Sequence, residues 1–227
     1  MKKYLEGLFA LIFPEVCLVC GNKLVSQEKY LCTSCLTDIP RTRFHSDPEN
    51  TIQQIFWGRV PLKYATSFFY FTKGSRYQKL MHSFKYSQKK EIGLVLGQLL
   101  GAELRQHWKD LPDCIVPVPL HPKKLRKRGY NQSEWIAKGL SLTLQVPVET
   151  GILVRTVANP TQTRKGRFER WENVASIFAI EKQQPNSHIL LVDDVITTGA
   201  TLEACAQTLL SMEATTVSVA SLAYASN

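Results

Sequence analysis

The sequence predicts an α/β fold in which a mostly parallel sheet is covered by helices on both faces, preceded by a small cysteine-rich module. Three observations lead to this prediction. Strand-like segments alternate with amphipathic helix-like segments from Leu62 onward. The apolar run HILLV ends in two acidic residues and a Thr-Gly turn, as at the carboxyl edge of a parallel sheet. Four cysteines stand as two C-x-x-C pairs near the N-terminus.

The composition is that of a globular protein, with 44% hydrophobic and 21% charged residues in 227. The net charge of +9 favours an anionic partner such as a phosphate, a pyrophosphate or a nucleic acid, but solubility alone also explains it. No stretch reaches the roughly 20 apolar residues of a membrane span. Glu6 interrupts the apolar N-terminal run, and no small-residue cleavage site follows. We therefore expect a cytoplasmic protein.

The paired cysteines predict a structural metal site. They follow the pattern C-x₂-C-x₁₁-C-x₂-C and comprise Cys17, Cys20, Cys32 and Cys35. Each pair can place two thiolates on one ion, and four thiolates complete the tetrahedron of a structural Zn²⁺ site. Unligated thiols or a redox pair are the alternatives. Cys114 and Cys205 fall in apolar segments and are predicted to be core residues.

We divide the chain into three regions. Residues 1–40 contain the cysteine module, preceded by apolar residues at the spacing of one helix face, and residues 41–61 read as a polar linker. Residues 62–227 form the main domain. Its predicted strands are 62–71, 114–119, 151–157, 176–180, 188–195 and 215–224, and its predicted helices are 75–86, 89–108, 132–144 and a segment around 202–209.

The strongest candidate site is the run HILLVDDVITTGATLEAC. It contains an acid pair and a Thr/Gly-rich turn, comprising Asp193, Asp194, Val195, Thr197, Thr198, Gly199, Ala200 and Thr201. Hydroxyls and backbone N–H groups at a helix N-terminus bind phosphate, and Gly199 can adopt the angles that let the chain close around it. The carboxylates can accept hydrogen bonds from a ribose diol, directly or through Mg²⁺. In the alternative, the acids are turn residues and Thr201 is a helix N-cap.

The second candidate site is the basic stretch Leu120–Asn131, which we predict to be a loop between a strand and a helix. Its candidate contacts are Lys123, Lys124, Arg126 and Arg128. Clustered Lys and Arg suit a polyanion, and Arg can bind a phosphate group through two parallel hydrogen bonds. A solvated loop and contacts to a nucleic-acid backbone remain alternatives.

The run LLVDDVITTGAT closely resembles the signature of type I phosphoribosyltransferases that binds 5-phosphoribosyl-1-pyrophosphate (PRPP). Four further features resemble the ComF family of competence proteins, of the ComFC type: CLVC…CTSC, FKY at 84–86, VPVPLHPKKLRKRGYNQ at 116–132, and the spacing of Gln162, Arg170 and Asn173. The resemblance covers essentially the whole chain. It implies a type I phosphoribosyltransferase-like fold that binds PRPP with Mg²⁺.

The resemblance also implies roles for the candidate residues. Asp193 and Asp194 would hold the ribose and act in catalysis, the turn that follows would hold the 5-phosphate, and the basic stretch would face the pyrophosphate. A flexible loop would supply further contacts from Gln162, Arg167, Arg170 and Asn173.

Two functions remain open at this point. An enzyme would transfer phosphoribosyl to an amine or nucleobase that the sequence does not name, and would release pyrophosphate. Alternatively, the protein binds single-stranded DNA and works with the DNA-uptake machinery, and its PRPP binding is regulatory or vestigial.

Overall fold

The computed structural model describes residues 14–25, 27–156 and 177–225. Its helices are Thr33–Thr37 (α1), Thr51–Phe56 (α2), Gln78–Tyr86 (α3), Glu91–His107 (α4), Pro122–Arg128 (α5), Gln132–Leu144 (α6) and Ala200–Leu209 (α7), with a 3-10 turn at Phe44–Ser46. Its strands are Ala65–Tyr70 (β1), Cys114–Pro117 (β2), Leu153–Arg155 (β3), Phe178–Ile180 (β4), His188–Ile196 (β5) and Thr216–Tyr224 (β6). The amphipathic N-terminal helix predicted before Pro14 lies outside the described residues.

The main sheet has the strand order β1-β6-β5-β2, and all its pairs are parallel. The central strand β5 pairs Leu191 with Val219 of β6 on one side and with Val116 of β2 on the other. Strands β3 and β4 form a separate antiparallel pair. The predicted parallel sheet is therefore confirmed.

Helices cover both faces of this sheet, as the sequence predicts. Leu190 and Val192 of β5 pack in one apolar cluster with residues of α3, α4 and α6. Ile189 and Leu191 point to the opposite face and pack with residues of α2 and α7. All four are fully buried. A strand covered on both faces is apolar at every position, which is why HILLV reads as a continuous run.

Residues 120–131, predicted to be a loop, instead contain the helix α5. Pro122 is its first residue, where the fixed φ of proline suits a helix and the missing N–H is not needed. His121 caps the helix by accepting a hydrogen bond at Nδ1 from the N–H of Lys123, at 3.1 Å. None of the residues of α5 is buried. The loop prediction is wrong because this helix has no apolar face to reveal it.

Residues 41–61, predicted to be a linker, pack into the core. Asn50 caps α2 by accepting a hydrogen bond from the N–H of Ile52 at 2.9 Å, and its side-chain amide donates to the Ala65 carbonyl at 2.9 Å. Ile52 and Phe56, one helical turn apart, are 0% and 1% exposed. These residues therefore form part of the layer that covers β1, and they are not an exposed linker between the cysteine module and the main domain.

The cysteine module packs against the main domain. The hydroxyl of Tyr77 donates to the carbonyl of Cys35 at 2.8 Å, and that of Tyr30 donates to Glu91 at 3.0 Å. Leu18 and Leu31 belong to the same apolar cluster as Phe84 of α3. Within the described ranges, no helix combines the length and the apolar character that crossing a membrane requires.

Candidate functional site

A cavity of about 170 Å³ opens at the carboxyl ends of β2 and β5. In open α/β sheets ligands bind at this edge. The cavity is lined by charged and polar side chains together with the backbone that follows β2, comprising Lys85, Val118, Pro119, Leu120, Lys124, Arg128, Asn131, Gln132, Ser133, Arg155, Asp193, Asp194 and Thr201. Both predicted sites therefore contribute to one cavity.

The two acids are the last polar residues of β5, which continues to Ile196. Asp193 accepts hydrogen bonds at Oδ1 from the hydroxyl of Ser133 at 3.0 Å and from the N–H of Asp194 at 2.8 Å. The ammonium of Lys85 lies 3.0 Å from Oδ2 of Asp194. Both carboxylates thus face the cavity with donors from α3 and α6 around them.

The environment of Asp193 disfavours its ionisation. Burial, followed by the negative charge of Asp194, raises the pKa of Asp193 to about 7, although hydrogen bonds from the Asp194 N–H and Ser133 and the charge of Lys85 act in the opposite direction. Near neutral pH this carboxyl group therefore exists in both its protonated and its ionised form.

The turn after β5 leads into α7 through Gly199. Gly199 has a φ of 76° and occupies the N-cap position, and no side chain caps this helix. The first backbone N–H groups of a helix have no partner within it and carry a partial positive charge. Thr197, Thr198 and Ala200 are exposed, Val195 is half-buried, and Thr201 lines the cavity. Thr201 is the second helical residue, so the alternative that makes it the N-cap is wrong.

The basic residues of α5 divide between two faces. Lys124 and Arg128, one helical turn apart, line the cavity. Lys123 and Arg126 are exposed and are not part of its lining. The guanidinium of Arg128 also donates to Oε1 of Gln132 at 2.7 Å. A helix presents residues four apart on one side, which a loop prediction could not reveal.

Five polar or charged residues of the cavity were not among the predicted contacts: Lys85, Gln132, Ser133, Asn131 and Arg155. The first four lie in or beside the FKY and RGYNQ motifs, so the motifs were the available signal. Asn131 explains part of RGYNQ, because its amide donates to the Val118 carbonyl at 3.0 Å and its Oδ1 accepts from the N–H of Ser133 at 3.1 Å. These bonds attach the start of α6 to the segment after β2.

The predicted flexible-loop contacts are not placed by the structure. Gln162, Arg167, Arg170 and Asn173 lie outside the described residues. The strands on either side, β3 and β4, pair with each other, and β3 brings Arg155 to the cavity.

The four paired cysteines converge on one point. Their sulfur atoms all lie within 4.8 Å of one another, and Sγ of Cys20 is 3.6 Å from Sγ of Cys32. Ligands about 2.3 Å from a tetrahedral Zn²⁺ lie about 3.8 Å apart, so the cluster fits this ion. Burial opposes ionisation of Cys17, but backbone N–H groups outweigh it and lower its pKa to about 6. Cys114 and Cys205 are 1% and 0% exposed core residues, as predicted.

Residues 130–227 match the phosphoribosyl transferase domain family. The DNA utilization protein YhgH of Shigella flexneri is 32% identical over 211 residues, which cover 90% of this chain and 88% of that protein. Competence protein F of Haemophilus influenzae is 33% identical over 153 residues, covering 64% and 67% of the two chains. Among solved structures, the glutamine PRPP amidotransferase from B. subtilis is 19% identical, with a TM-score of 0.43, and the match covers 61% of this chain and 30% of that one.

Proposed function

Because the chain belongs to the ComF family of phosphoribosyltransferase-like proteins, we propose that it binds PRPP in the cavity at the carboxyl ends of β2 and β5. The observation that carries this proposal is that Asp193, Asp194, Thr201 and Arg128 line one cavity. A ligand there meets carboxylates, a helix N-terminus and cations, which suit a diol, a phosphate and a pyrophosphate respectively.

In this proposal each part of PRPP has its own partners. The 5-phosphate accepts hydrogen bonds from the turn at 197–201, and the ribose hydroxyls lie against Asp193 and Asp194. Lys124 and Arg128 face the pyrophosphate. Mg²⁺ would be held by Asp194 together with the ligand, and it would supply positive charge against the leaving pyrophosphate. The four paired cysteines would hold a structural Zn²⁺ as thiolates, and the reducing conditions of the cytoplasm would keep them from forming disulfides.

The reaction we propose is the transfer of phosphoribosyl to a nitrogen of an amine or a nucleobase. The C1–O bond breaks and its electron pair leaves with the pyrophosphate, where Lys124 and Arg128 stabilise the added charge. The acceptor nitrogen forms the new bond to C1 and loses a proton. Asp193 is our candidate for the group that takes this proton, because its pKa of about 7 allows both protonation states.

The binding proposal is tested by calorimetry with PRPP and Mg²⁺. Replacing both acids, Asp193→Asn with Asp194→Asn, should weaken binding by roughly 100-fold or more, because two charge-assisted contacts are lost. The matched control replaces Asp38 and Asp110 by Asn, two acids outside the cavity whose side chains are 50% and 64% exposed. Equal affinity in both double variants would refute the site. Pyrophosphate release with candidate acceptors then separates an enzyme from a binding protein.

A second candidate function is the binding of single-stranded DNA. The observation that favours it is the outer face of α5, where Lys123, Arg126 and Lys127 are exposed and do not line the cavity. Arg128, the last residue of this helix, places its guanidinium 5.3 Å from the ring centre of Tyr86. Tyr86 is 54% exposed. Basic residues and exposed aromatic rings are the usual partners of single strands.

The two functions can be separated on α5 itself. Lys123→Gln with Arg126→Gln should lower the log–log salt dependence of single-stranded DNA binding by about 1.4, because two phosphate contacts are lost, and should leave PRPP affinity unchanged. Lys124→Gln with Arg128→Gln should weaken PRPP binding. If the wild-type protein binds no single-stranded DNA at low salt, this second function is excluded.

A further inference from the structure

Lys85 contacts one of the two carboxylates at the centre of the cavity. It lies in the last turn of α3, and its Nζ is 3.0 Å from Oδ2 of Asp194, where the side chains are 24% and 15% exposed. Its neighbour Phe84 is fully buried, and the Phe84 carbonyl accepts a hydrogen bond from the hydroxyl of Tyr130. The backbone of Lys85 is therefore fixed, and its ammonium is held where it reaches Asp194.

The protein supplies donors to one oxygen of each carboxylate in the acid pair. Ser133 and the N–H of Asp194 occupy Oδ1 of Asp193, and Lys85 occupies Oδ2 of Asp194. A divalent cation that binds Asp194 would come close to the ammonium of Lys85. Two like charges at such a distance in a partly buried site repel each other by several kcal/mol, as for unit charges about 4 Å apart near a protein surface. An ion that binds Oδ2 of Asp194 must therefore displace Lys85.

The rest of the cavity lining favours a ligand that offers oxygen acceptors to replace Asp194. Gln132 is 2% exposed, and its Nε2 has no hydrogen-bond partner in the described part of the chain. The orientation of this amide is fixed, because a guanidinium only donates and the atom 2.7 Å from Arg128 must therefore be Oε1. A buried amide without an acceptor is unfavourable. Because the Gln132 side chain lines the cavity, a ligand oxygen that reaches this edge would be an acceptor for Nε2.

The net charge of the cavity lining also favours a phosphate-bearing ligand. Four cationic side chains, Lys85, Lys124, Arg128 and Arg155, stand against two acids, Asp193 and Asp194. A phosphate-bearing ligand offers Lys85 a new partner, after which Asp194 is free for a cation or a hydroxyl group. Lys85 then pairs with the phosphate, and a cation that binds Asp194 replaces the charge of Lys85.

We propose that Lys85 is a positioning residue that holds Asp194 as an ion pair in the free protein and excludes divalent cations until a phosphate-bearing ligand binds its ammonium. This inference rests on the proposed function and concerns the regulation of the same site. It predicts that the metal enters only with or after the anionic ligand.

The test measures Mn²⁺ binding to the full-length zinc-loaded protein by electron paramagnetic resonance, without and with PRPP. For the wild-type protein we expect only weak Mn²⁺ binding at the acid pair without PRPP. Lys85→Met should bind Mn²⁺ alone roughly tenfold more tightly or better, because the competing charge is gone. The same variant should bind PRPP roughly tenfold more weakly, since one charge-assisted bond is lost. A purely structural role for Lys85 would weaken both.

Two further variants serve as controls. Lys85→Arg keeps the charge and should behave like the wild type towards Mn²⁺. Lys85→Met combined with Asp194→Asn should lose the added Mn²⁺ binding, which assigns it to the acid pair. Equal Mn²⁺ affinity of Lys85→Met and the wild type overturns the inference, even when both bind PRPP. Failure of the wild type to bind PRPP overturns the proposed function instead.

Discussion

Gly199 links the turn before α7 to the helix α2. A Cβ at this position would lie 3.0 Å from Cγ2 of Ile55 and 3.0 Å from the ring of Phe56, and the φ of 76° is one that other residues adopt only with strain. Arg59, just after α2, also donates to the carbonyl of Thr198 at 3.3 Å. Residues that the sequence suggests are a linker thus support the turn that we assign to the 5-phosphate.

We predict that Gly199→Ala weakens PRPP binding by roughly tenfold or more. The left-handed conformation alone disfavours alanine by about 1–2 kcal/mol, and the contact with Phe56 forces the turn to move. Calorimetry measures the affinity. The matched control is Gly74→Ala, where φ is 85° and nothing lies within 4 Å of the added Cβ. The same loss of affinity in both variants would show that the turn has no specific role.

The sequence shows Gly199 and the two acids, but it includes Lys85 only within the FKY motif and places Arg155 in no motif. Both residues are far from Asp194 along the chain. They come close to it only in the folded protein, where α3 and β3 end beside β5. A lysine in the last turn of a helix is common on protein surfaces, so its residue type alone does not identify Lys85 as part of a site.

The helices α4 and α6 set the position of the RGYNQ motif. They meet at two glycines, since a Cβ on Gly97 would lie 2.4 Å from the Ile136 carbonyl oxygen and a Cβ on Gly139 would lie 2.2 Å from that of Leu94. The helices therefore approach as closely as their backbones allow. Ser133, at the start of α6, depends on this contact for its distance of 3.0 Å from Asp193.

We expect Gly139→Ala to lower the free energy of unfolding by about 2–3 kcal/mol, because the added methyl group meets backbone that cannot rotate away. Urea denaturation measures this change. Gly151→Ala is the control, since its Cβ would meet nothing within 4 Å. PRPP affinity of the folded variant should also fall as α6 shifts. A variant as stable as the control would contradict the close packing of the two helices.

The helices also show where a pattern-based prediction succeeds and fails. The long helix α4 has seven buried residues at the spacing of one helix face, and the sequence predicts its ends to within two residues. The basic helix α5 has none, although Pro122 at its first position was a usable signal. The short helix α2 has only Ile52 and Phe56 buried, and this pair is too small to stand out in a polar segment.

At the scale of the whole molecule, the cysteine module and the main domain share one apolar cluster. Leu18, Leu31 and Ile39 pack in it together with Leu80 and Phe84 of α3. The same helix carries Lys85 in its last turn. We therefore expect the order of the cysteine module to affect the cavity through α3.

Removing the metal tests this connection. We predict that a chelator that extracts Zn²⁺ lowers the thermal unfolding midpoint by roughly 5 °C or more and weakens PRPP binding, because metal binding contributes folding free energy to the module. Zinc content and unfolding are measured on the same samples. The chelator should have no further effect on a Cys20→Ser, Cys35→Ser variant. An unchanged midpoint after complete zinc loss would show that the module is independent of the core.

Alternation of strands and helices predicted the parallel sheet, its two covered faces and the edge at which the acids lie, because a buried strand needs apolar residues at every position. The sequence could not show how α5 divides its cations between two directions, or that α3 brings a lysine to the acid pair. Both depend on the packing of elements that are distant along the chain.

We propose that the acid pair of β5 and the turn before α7 hold one sugar phosphate between them. A crystal structure with PRPP and Mg²⁺ would test this arrangement. We expect ribose hydroxyls beside Asp193 and Asp194 and a 5-phosphate within hydrogen-bonding distance of the backbone N–H groups of 198–201. A ligand bound elsewhere, or a phosphate away from this turn, would contradict it.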